Sequence, residues 1–349
     1  MKRLSLTAVF LLCMWQKPYS QTAWQWGFGA GSTVYFGDLG NEQYVPISGT
    51  HYGCSFSLRH DLKTRVHHVS GNEPFAFVVR GDWLRIGYDE THPLLFNTKG
   101  GAELRNYRRG LNFRNDRLGI NAQITWTIYA RKIFPLWQHR WALYFFIGPG
   151  IYYSDPRADL FRGNIDNKNR YYYYHDGTLR DAPETDGNGK VVTHDNRYET
   201  HLRNWFTEGQ SASPQPGSQK EYSILQMGFP HGGGIKYGIS RHLMLQWEWC
   251  FYDFPFSDYI DDVSKRYATY AEIERNFPGD LQKQTLAKYI TDPSGWGSDG
   301  ENGKSSSPRG NPKKFDWVNY MNFQLFFTPL VKAKSYNPRH HLKHYCPQF

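Results

Sequence analysis

Residues 242–252 read HLMLQWEWCFY, a strand pattern that faces the wrong way for a water-soluble protein. A strand has period two, so Leu243, Leu245, Trp247, Trp249 and Phe251 share one side. Met244, Gln246, Glu248 and Tyr252 share the other. The first face is wholly apolar and the second largely polar. Runs of this kind recur about eight times, each roughly 9–12 residues long, the length that crosses a bilayer as a tilted strand. In a soluble sandwich the apolar side makes the core; in a barrel it faces lipid and the polar side faces a narrow interior. The expected fold class is therefore all-β, an eight-stranded antiparallel transmembrane barrel with long extracellular loops.

Composition agrees. The mean hydropathy is low, at -0.68, yet 17% of the residues are aromatic. A membrane helix bundle would be far more apolar. A barrel alternates apolar and polar positions and places Trp, Tyr and Phe in two interfacial girdles. Residues 1–20 read as a signal peptide, with Lys2 and Arg3 in the charged region and Leu4 to Trp15 in a short apolar region. That run is too short to span a bilayer as a helix. Localisation in a bacterial outer membrane after export follows as the expectation. Beyond the signal, Cys54, Cys250 and Cys346 form no disulfide framework. The net charge of +9 is concentrated near 102–117 and in residues 332–349. For an exported protein this favours acidic lipid head groups or an acidic protein partner over nucleic acid.

Along the chain, strand one puts Trp24, Trp26, Phe28, Ala30, Val34 and Phe36 outward, with glycines inward as a narrow barrel requires. Strand two puts Tyr52, Cys54, Phe56 and Leu58 outward. In strand three, about 74–88, the apolar stripe moves from Phe75, Phe77 and Val79 to Leu84, Ile86 and Tyr88. A bulge near Arg80-Gly81-Asp82 would account for the shift. Strand four is LGINAQITWTIYA, with Ile124 and Trp126 outward and Gln123 inward. Strand five, WALYFFIGPGIYY, is ambiguous in phase. Strand six spans about 221–239, interrupted at His231-Gly232-Gly233-Gly234, and strand eight about 315–329. The connections alternate between short (61–73, 132–139, 240–241) and long (38–50, 89–112, 155–220, 254–314). This places both termini and the short turns in the periplasm. The domain reading is a signal peptide at 1–20, a barrel at 21–331 with its largest loops at 155–220 and 254–314, and a basic tail at 332–349. Residues 297–312 read as a flexible linker, and Tyr171 to Tyr174 as part of a loop packed on itself.

Eight strands leave little lumen. Arg59, Arg80, Asp82, Lys236 and Glu248 are the interior charges, and a salt-bridged plug is favoured over a conducting pore. Three chemical readings are weaker. Asp258, Asp261 and Asp262 lack the spacing of a calcium loop. His340, His341, His344 and Cys346 fit no zinc module. His51, His92, His175 and His194 lie in or near outer loops without a pattern that joins them into a hydrolase. The chain is therefore read as non-enzymatic, with no cofactor and no metal.

Four strings carry more specific information: Tyr35-Phe36-Gly37-Asp38-Leu39-Gly40-Asn41, Arg109-Gly110-Leu111-Asn112-Phe113-Arg114-Asn115-Asp116, Thr207-Glu208-Gly209-Gln210, and Asp258-Tyr259-Ile260-Asp261-Asp262-Val263-Ser264. In this order they resemble the PorG family, small outer-membrane barrels of the Bacteroidota type IX protein secretion system. The resemblance runs from about residue 24 to 331. It implies a component that contacts a periplasmic ring of PorK- and PorN-like proteins, with outer-membrane lipid as its other partner. The motif residues it marks are Gly37, Asp38, Leu39, Phe113, Arg114, Glu208, Gly209, Gln210, Asp258, Tyr259, Asp261 and Asp262. Because these strings fall on the outer side, they are expected to lock the loops. Partner contact is left to the short turns and to the tail, through Lys332, Lys334, Arg339 and Lys343. The alternatives are a receptor or adhesin acting through the long loops, and a small pore.

Overall fold

Eight strands close into a ring in which every neighbour runs antiparallel. They are β1 (Gln25–Phe36), β2 (Thr50–Leu62), β3 (Phe75–Asp89), β4 (Asn112–Tyr129), β5 in two pieces (Trp141–Ile147 and Gly150–Tyr153), β6 (Leu225–Gly238), β7 (Leu243–Asp253) and β8 (Trp317–Phe327). β8 returns to β1 and closes the barrel, with Trp26 opposite Phe327 and Phe36 opposite Trp317. The computed structural model describes residues 24–40, 49–62, 74–91, 102–129, 140–211, 219–240, 242–297, 308–313 and 315–329. The signal segment, the tail at 332–349, the turn at 132–139 and His92 lie outside the described residues, as does the turn at 61–73 beyond Leu62.

The alternation shows why this ring sits in lipid. Ile120, Ile124, Trp126, Leu143, Ile147 and Phe323 are exposed on the outer wall, Ile120 at 61%. Asn121, Gln123, Thr125, Gln246, Asn322 and Gln324 are buried inside. Only a closed barrel or a helix satisfies its backbone groups within hydrocarbon, and this ring has no open edge. The chain is an integral outer-membrane β-barrel.

Three sequence expectations need correction. β3 has no bulge, since its register against β2 and β4 is continuous from Phe75 to Leu84 and from Phe75 to Asp89. Arg80, Asp82, Leu84 and Ile86 all point inward, and the last two are buried at 2% and 0% exposure. The apolar stripe changes sides because the surroundings change. Above the membrane the strands continue into water, so the apolar face turns to the interior. β6 is likewise unbroken through its glycines, pairing from Phe229–Gly238 with β7. In β5, Pro149 interrupts the ladder because it brings no N–H. The register survives: Ile147 faces Ile124 and Gly150 faces Asn121. This settles the phase of β5, with Leu143, Phe145, Ile147 and Ile151 outward and Tyr144, Phe146 and Tyr152 inward. The inward Tyr152 ring fits because its register partner on the neighbouring strand β4 is glycine. A Cβ on Gly119 would lie 2.1 Å from the Tyr152 ring.

The long connections fold into a cap over one mouth. Its elements include α1 (Ala102–Arg109), α2 (Tyr270–Asn276) and α3 (Leu281–Thr291). Thr269 and Glu272 form a reciprocal capping box on α2, and Asp280 caps α3. The short strand Arg157–Ala158 extends the barrel ladder into the cap, pairing with Arg114 of β4 and with Thr200–His201. The cap core continues that of the upper barrel: Leu84, Ile86, Phe113, Leu160, Leu202, Phe254, Ile260, Ile290 and Val318 form one buried cluster. Tyr171, Tyr173 and Tyr174 are buried in the cap, where Tyr171 hydrogen-bonds Tyr289 through its backbone N–H (3.2 Å).

Candidate functional site

The interior divides into two tiers. The lower tier, level with the membrane, is a polar plug. Arg80 of β3 makes two parallel hydrogen bonds to Glu248 of β7, at 2.6 and 2.8 Å. Glu248 also accepts from the Tyr144 hydroxyl (2.8 Å) and the Asn322 amide (3.2 Å). A bidentate pair whose remaining lone pairs are also satisfied is the arrangement in which a buried ion pair is tolerated. Lys236 is fully buried and bonds Thr127 Oγ1 (2.6 Å) while its ammonium sits 4.6 Å from the Tyr144 ring. Arg59 pairs with Asp61 (2.8 Å), and Asp82 accepts from Asn121. Tyr144 links two of these groups, since its hydroxyl bonds Glu248 while its ring lies against the Lys236 ammonium. Arg59, Arg80, Asp82, Lys236 and Glu248 are each no more than 3% exposed. A ring of eight strands leaves little lumen around them.

The upper tier is built by the four sequence strings, which meet at the mouth. Tyr35, at the end of β1, donates its hydroxyl to Asp261, and the Leu39 N–H donates to the Tyr35 oxygen (3.2 Å). Phe113 lies edge-on to Tyr35 with ring centres 4.8 Å apart. Asn115 reaches the Ile260 carbonyl (2.7 Å). Glu208 accepts the N–H groups of Ser264 (2.8 Å) and Lys265 (3.0 Å), tying the third string to the fourth. Gly209 has φ +76, and a Cβ there would lie 2.6 Å from Glu272, so the bend needs glycine. Gln210 is buried and accepts the Glu208 N–H (3.0 Å). Tyr259 stacks on Tyr222 at 4.8 Å and 6°. Arg114 points outward, its guanidinium 4.3 Å from the Tyr198 ring.

Asp258, Asp261 and Asp262 do not converge on one point. Asp262 accepts from Thr207 (2.6 Å), Tyr222 (2.7 Å) and Arg309 (3.2 Å). Asp258 accepts from the Ser264 hydroxyl (2.9 Å) and the Asp316 N–H (3.2 Å). Asp261 is occupied by Tyr35 and by the Val263 N–H (2.8 Å). Burial, followed by neighbouring carboxylates including Asp38, holds Asp261 and Asp316 well above the usual carboxylate range. Burial also pushes Asp258 up to about 7 and Glu208 up to about 7. Among the described residues neither oxygen of Asp316 meets an N–H or hydroxyl donor, and its carboxyl faces that of Asp261.

Two arginines join these parts: Arg109, which heads the second string without being marked as a motif residue, and Arg309, which sequence reasoning missed. Arg109 at the end of α1 bonds Glu90 (2.9 Å), the Asp38 carbonyl (2.8 Å) and the Arg309 carbonyl (2.9 Å). Arg309 is 2% exposed between Asp262, Thr207 and Glu208. It belongs to the stretch read as linker, where Gly, Ser and Pro carry no period that would flag a buried residue. Among the described residues the histidines do not form a hydrolytic set. His194 Nδ1 lies 2.8 Å from Asp89 and 3.4 Å from the Thr91 hydroxyl, which itself donates to Asp89 (2.6 Å). Acid and hydroxyl address the same ring nitrogen, so the ring cannot relay a proton between them. His175 pairs with Glu184 at 2.7 Å on the cap surface, and His51 lies in β2.

No protein-family model and no curated protein matches the sequence. Among solved structures the chain is similar to Neisserial surface protein A, at 7% identity and TM-score 0.31, covering 90% of this chain and 100% of that one. It is similar to Ail, the attachment invasion locus protein of Yersinia pestis, in complex with sucrose octasulfate, at 6% identity and TM-score 0.31, covering 87% and 98%. It is also similar to the outer membrane enzyme PagL, at 8% identity and TM-score 0.28, covering 87% and 99%. The barrel itself is established by the closed strand ladder described above.

Proposed function

We propose that this barrel is a non-enzymatic component of a type IX protein secretion machine that anchors or contacts its periplasmic ring. One observation carries the reading. The four strings that resemble the PorG family, spread between residues 35 and 264, join in one hydrogen-bonded, buried network at the barrel mouth. The resemblance therefore concerns an architecture and not four separate short matches. The filled interior argues for a scaffold over a pore, and reconstituted protein is expected to give no steady conductance steps.

Because the motif network is buried in the cap, partner contact falls to the opposite end. The tail carries Lys332, Lys334, Arg339 and Lys343 with no acidic residue. Its charge suits an acidic surface and salt-dependent binding. The experiment compares the full chain with one stopped after Lys332, both checked for normal barrel folding. Capture from native membranes should recover PorK- or PorN-like periplasmic proteins with the full chain and lose them, together with cargo export, with the shortened one. Normal folding with unchanged capture and export would remove the tail from the interface. Failure of the full chain to capture any ring protein would remove the secretion role. The folded cap favours one second reading, a surface receptor or adhesin, for which capture would instead recover external ligands.

A further inference from the structure

We propose that Asp159, Asp195 and Glu199 form a calcium site on the outer surface of the cap, independent of the secretion role. One carboxylate oxygen from each lies within 4.8 Å of the others. Two oxygens bound to the same calcium at about 2.4 Å can be no more than about 4.8 Å apart, so the spacing admits a shared ion. Three acids close together are common on surfaces, and closeness alone would mean little. Here two of them are built in with one oxygen left over.

Asp159 is 1% exposed. Its backbone is clamped by Asn112, the first residue of β4, which accepts the Asp159 N–H (2.7 Å) and donates to its carbonyl (2.9 Å). Its Oδ2 takes the Asn196 N–H, while its buried Oδ1 has no donor among the described residues. Glu199 repeats the arrangement. Its Oε1 accepts from Leu160 N–H (3.0 Å), Phe161 N–H (3.0 Å) and the Thr200 hydroxyl (2.8 Å), and its buried Oε2 has no donor. A buried carboxylate oxygen without a partner is costly. Two such oxygens beside a third carboxylate call for a positive charge.

The neighbouring cations give neither oxygen a hydrogen bond among the described residues, although His194 lies close enough for its charge to act on Asp159 and Glu199. Arg197 lies 3.4 Å from Asp195, with a side chain 67% exposed. His194 commits Nδ1 to Asp89 (2.8 Å). An oxygen-only donor set of irregular shape suits calcium, which accepts six to eight oxygens, better than magnesium, which demands a regular octahedron. Outside the cell even a weak site would be occupied, since extracellular modules bind in the range of about 10⁻⁴–10⁻³ M. The ion would tie residues 157–160 to residues 195–201 and so fasten the cap to β4.

The test uses the full chain, folded in detergent and freed of metal with a chelator. Calcium titration by calorimetry, with terbium luminescence sensitised by the nearby tyrosines, should show one saturable site. Asp195→Asn and Glu199→Gln should each weaken it by about tenfold or more, since ligand charge sets affinity. Asp195 is exposed, so its variant should fold even if the Glu199 variant does not. Asp176→Asn, an exposed acid elsewhere in the same connection, should bind as the parent does. Calcium should also slow protease cleavage between residues 157 and 201 in the parent and not in Asp195→Asn. Absence of saturable binding at millimolar calcium, or undiminished binding in Asp195→Asn, would overturn the site. So would protection that appears equally in chelator at low pH without calcium, which would assign the missing positive charge to protons.

Discussion

The lower and upper halves of β3 and β4 follow the same period with opposite polarity. In the lower half Ile124 and Trp126 face out while Gln123 and Thr125 face in. In the upper half Arg85 and Asp116 pair on the outside at 2.6 Å, while Leu84, Ile86 and Phe113 are buried inside. The backbone does not distinguish the two halves, because the register is continuous through both. The difference lies in what surrounds the wall. Lipid takes the apolar face below; water takes the polar face above, and the apolar face turns to the cap. An apparent phase slip in a strand can therefore mark the plane where the membrane ends.

The largest expected effect tests the lower interior. Glu248→Ala would leave Arg80 buried and unpaired, at a cost of about 3–5 kcal/mol. The folded, heat-modifiable fraction should fall sharply. Replacing both partners together, as Arg80→Met with Glu248→Leu, removes the charge and the need for its partner and should restore most of the loss. A single variant as stable as the parent would show that the pair is not what makes a polar interior tolerable. A double variant no better than the single would show that polarity itself is required there.

The next effect tests the outer wall. Ile124→Arg places a charge in the lipid belt and should cost about 2–4 kcal/mol near the midplane. Arg85→Leu changes the same face above the belt, where a partly exposed ion pair to Asp116 and surface contacts to Tyr52 and Trp83 are lost, and should cost less, about 1 kcal/mol. Equal losses in urea-titrated folding would erase the boundary between the halves. A larger loss for Arg85→Leu would reverse it.

Most of the barrel was legible because period two is a local signal. β7 and β8 could be phased from single side chains, and the interior charges follow from the same alternation. Two things were not legible. The side on which Leu84 and Ile86 fall depends on the cap, which is assembled from connections up to about 70 residues long with no period of their own. The partners of Asp262 and Asp261 come from Arg309 and Tyr35, 47 and 226 residues away. The strings marked which residues matter, but only the folded mouth shows that Asp258, Asp261 and Asp262 serve different neighbours. Asp159, Asp195 and Glu199 likewise come together only in the fold, where Asn112 fixes the backbone of Asp159.

The smallest expected effect separates the halves by pH. In the cap, Asp258 and Glu208 titrate at about 7, and Asp261 and Asp316 are held well above the ordinary range. In the unfolded chain these groups titrate near 4. Between about pH 4 and 7 the folded cap therefore holds more protons than the unfolded one. Stability must then fall as pH rises through that window, and the loss is complete only above the folded values. His194, raised by its bond to Asp89 against the opposing effect of burial, acts in the same direction, contributing below its ordinary value and fading as pH rises. With chelator present throughout, hydrogen exchange of backbone amides in 258–264 should be slower at pH 5.5 than at pH 8 after correction for intrinsic rates. Asp316→Asn removes one of the facing acids and supplies a donor, so it should slow exchange at pH 8 and flatten the pH dependence. Exchange in 258–264 that is equal at both pH values, or slower at pH 8, would mean that these acids are already neutralised by something other than protons.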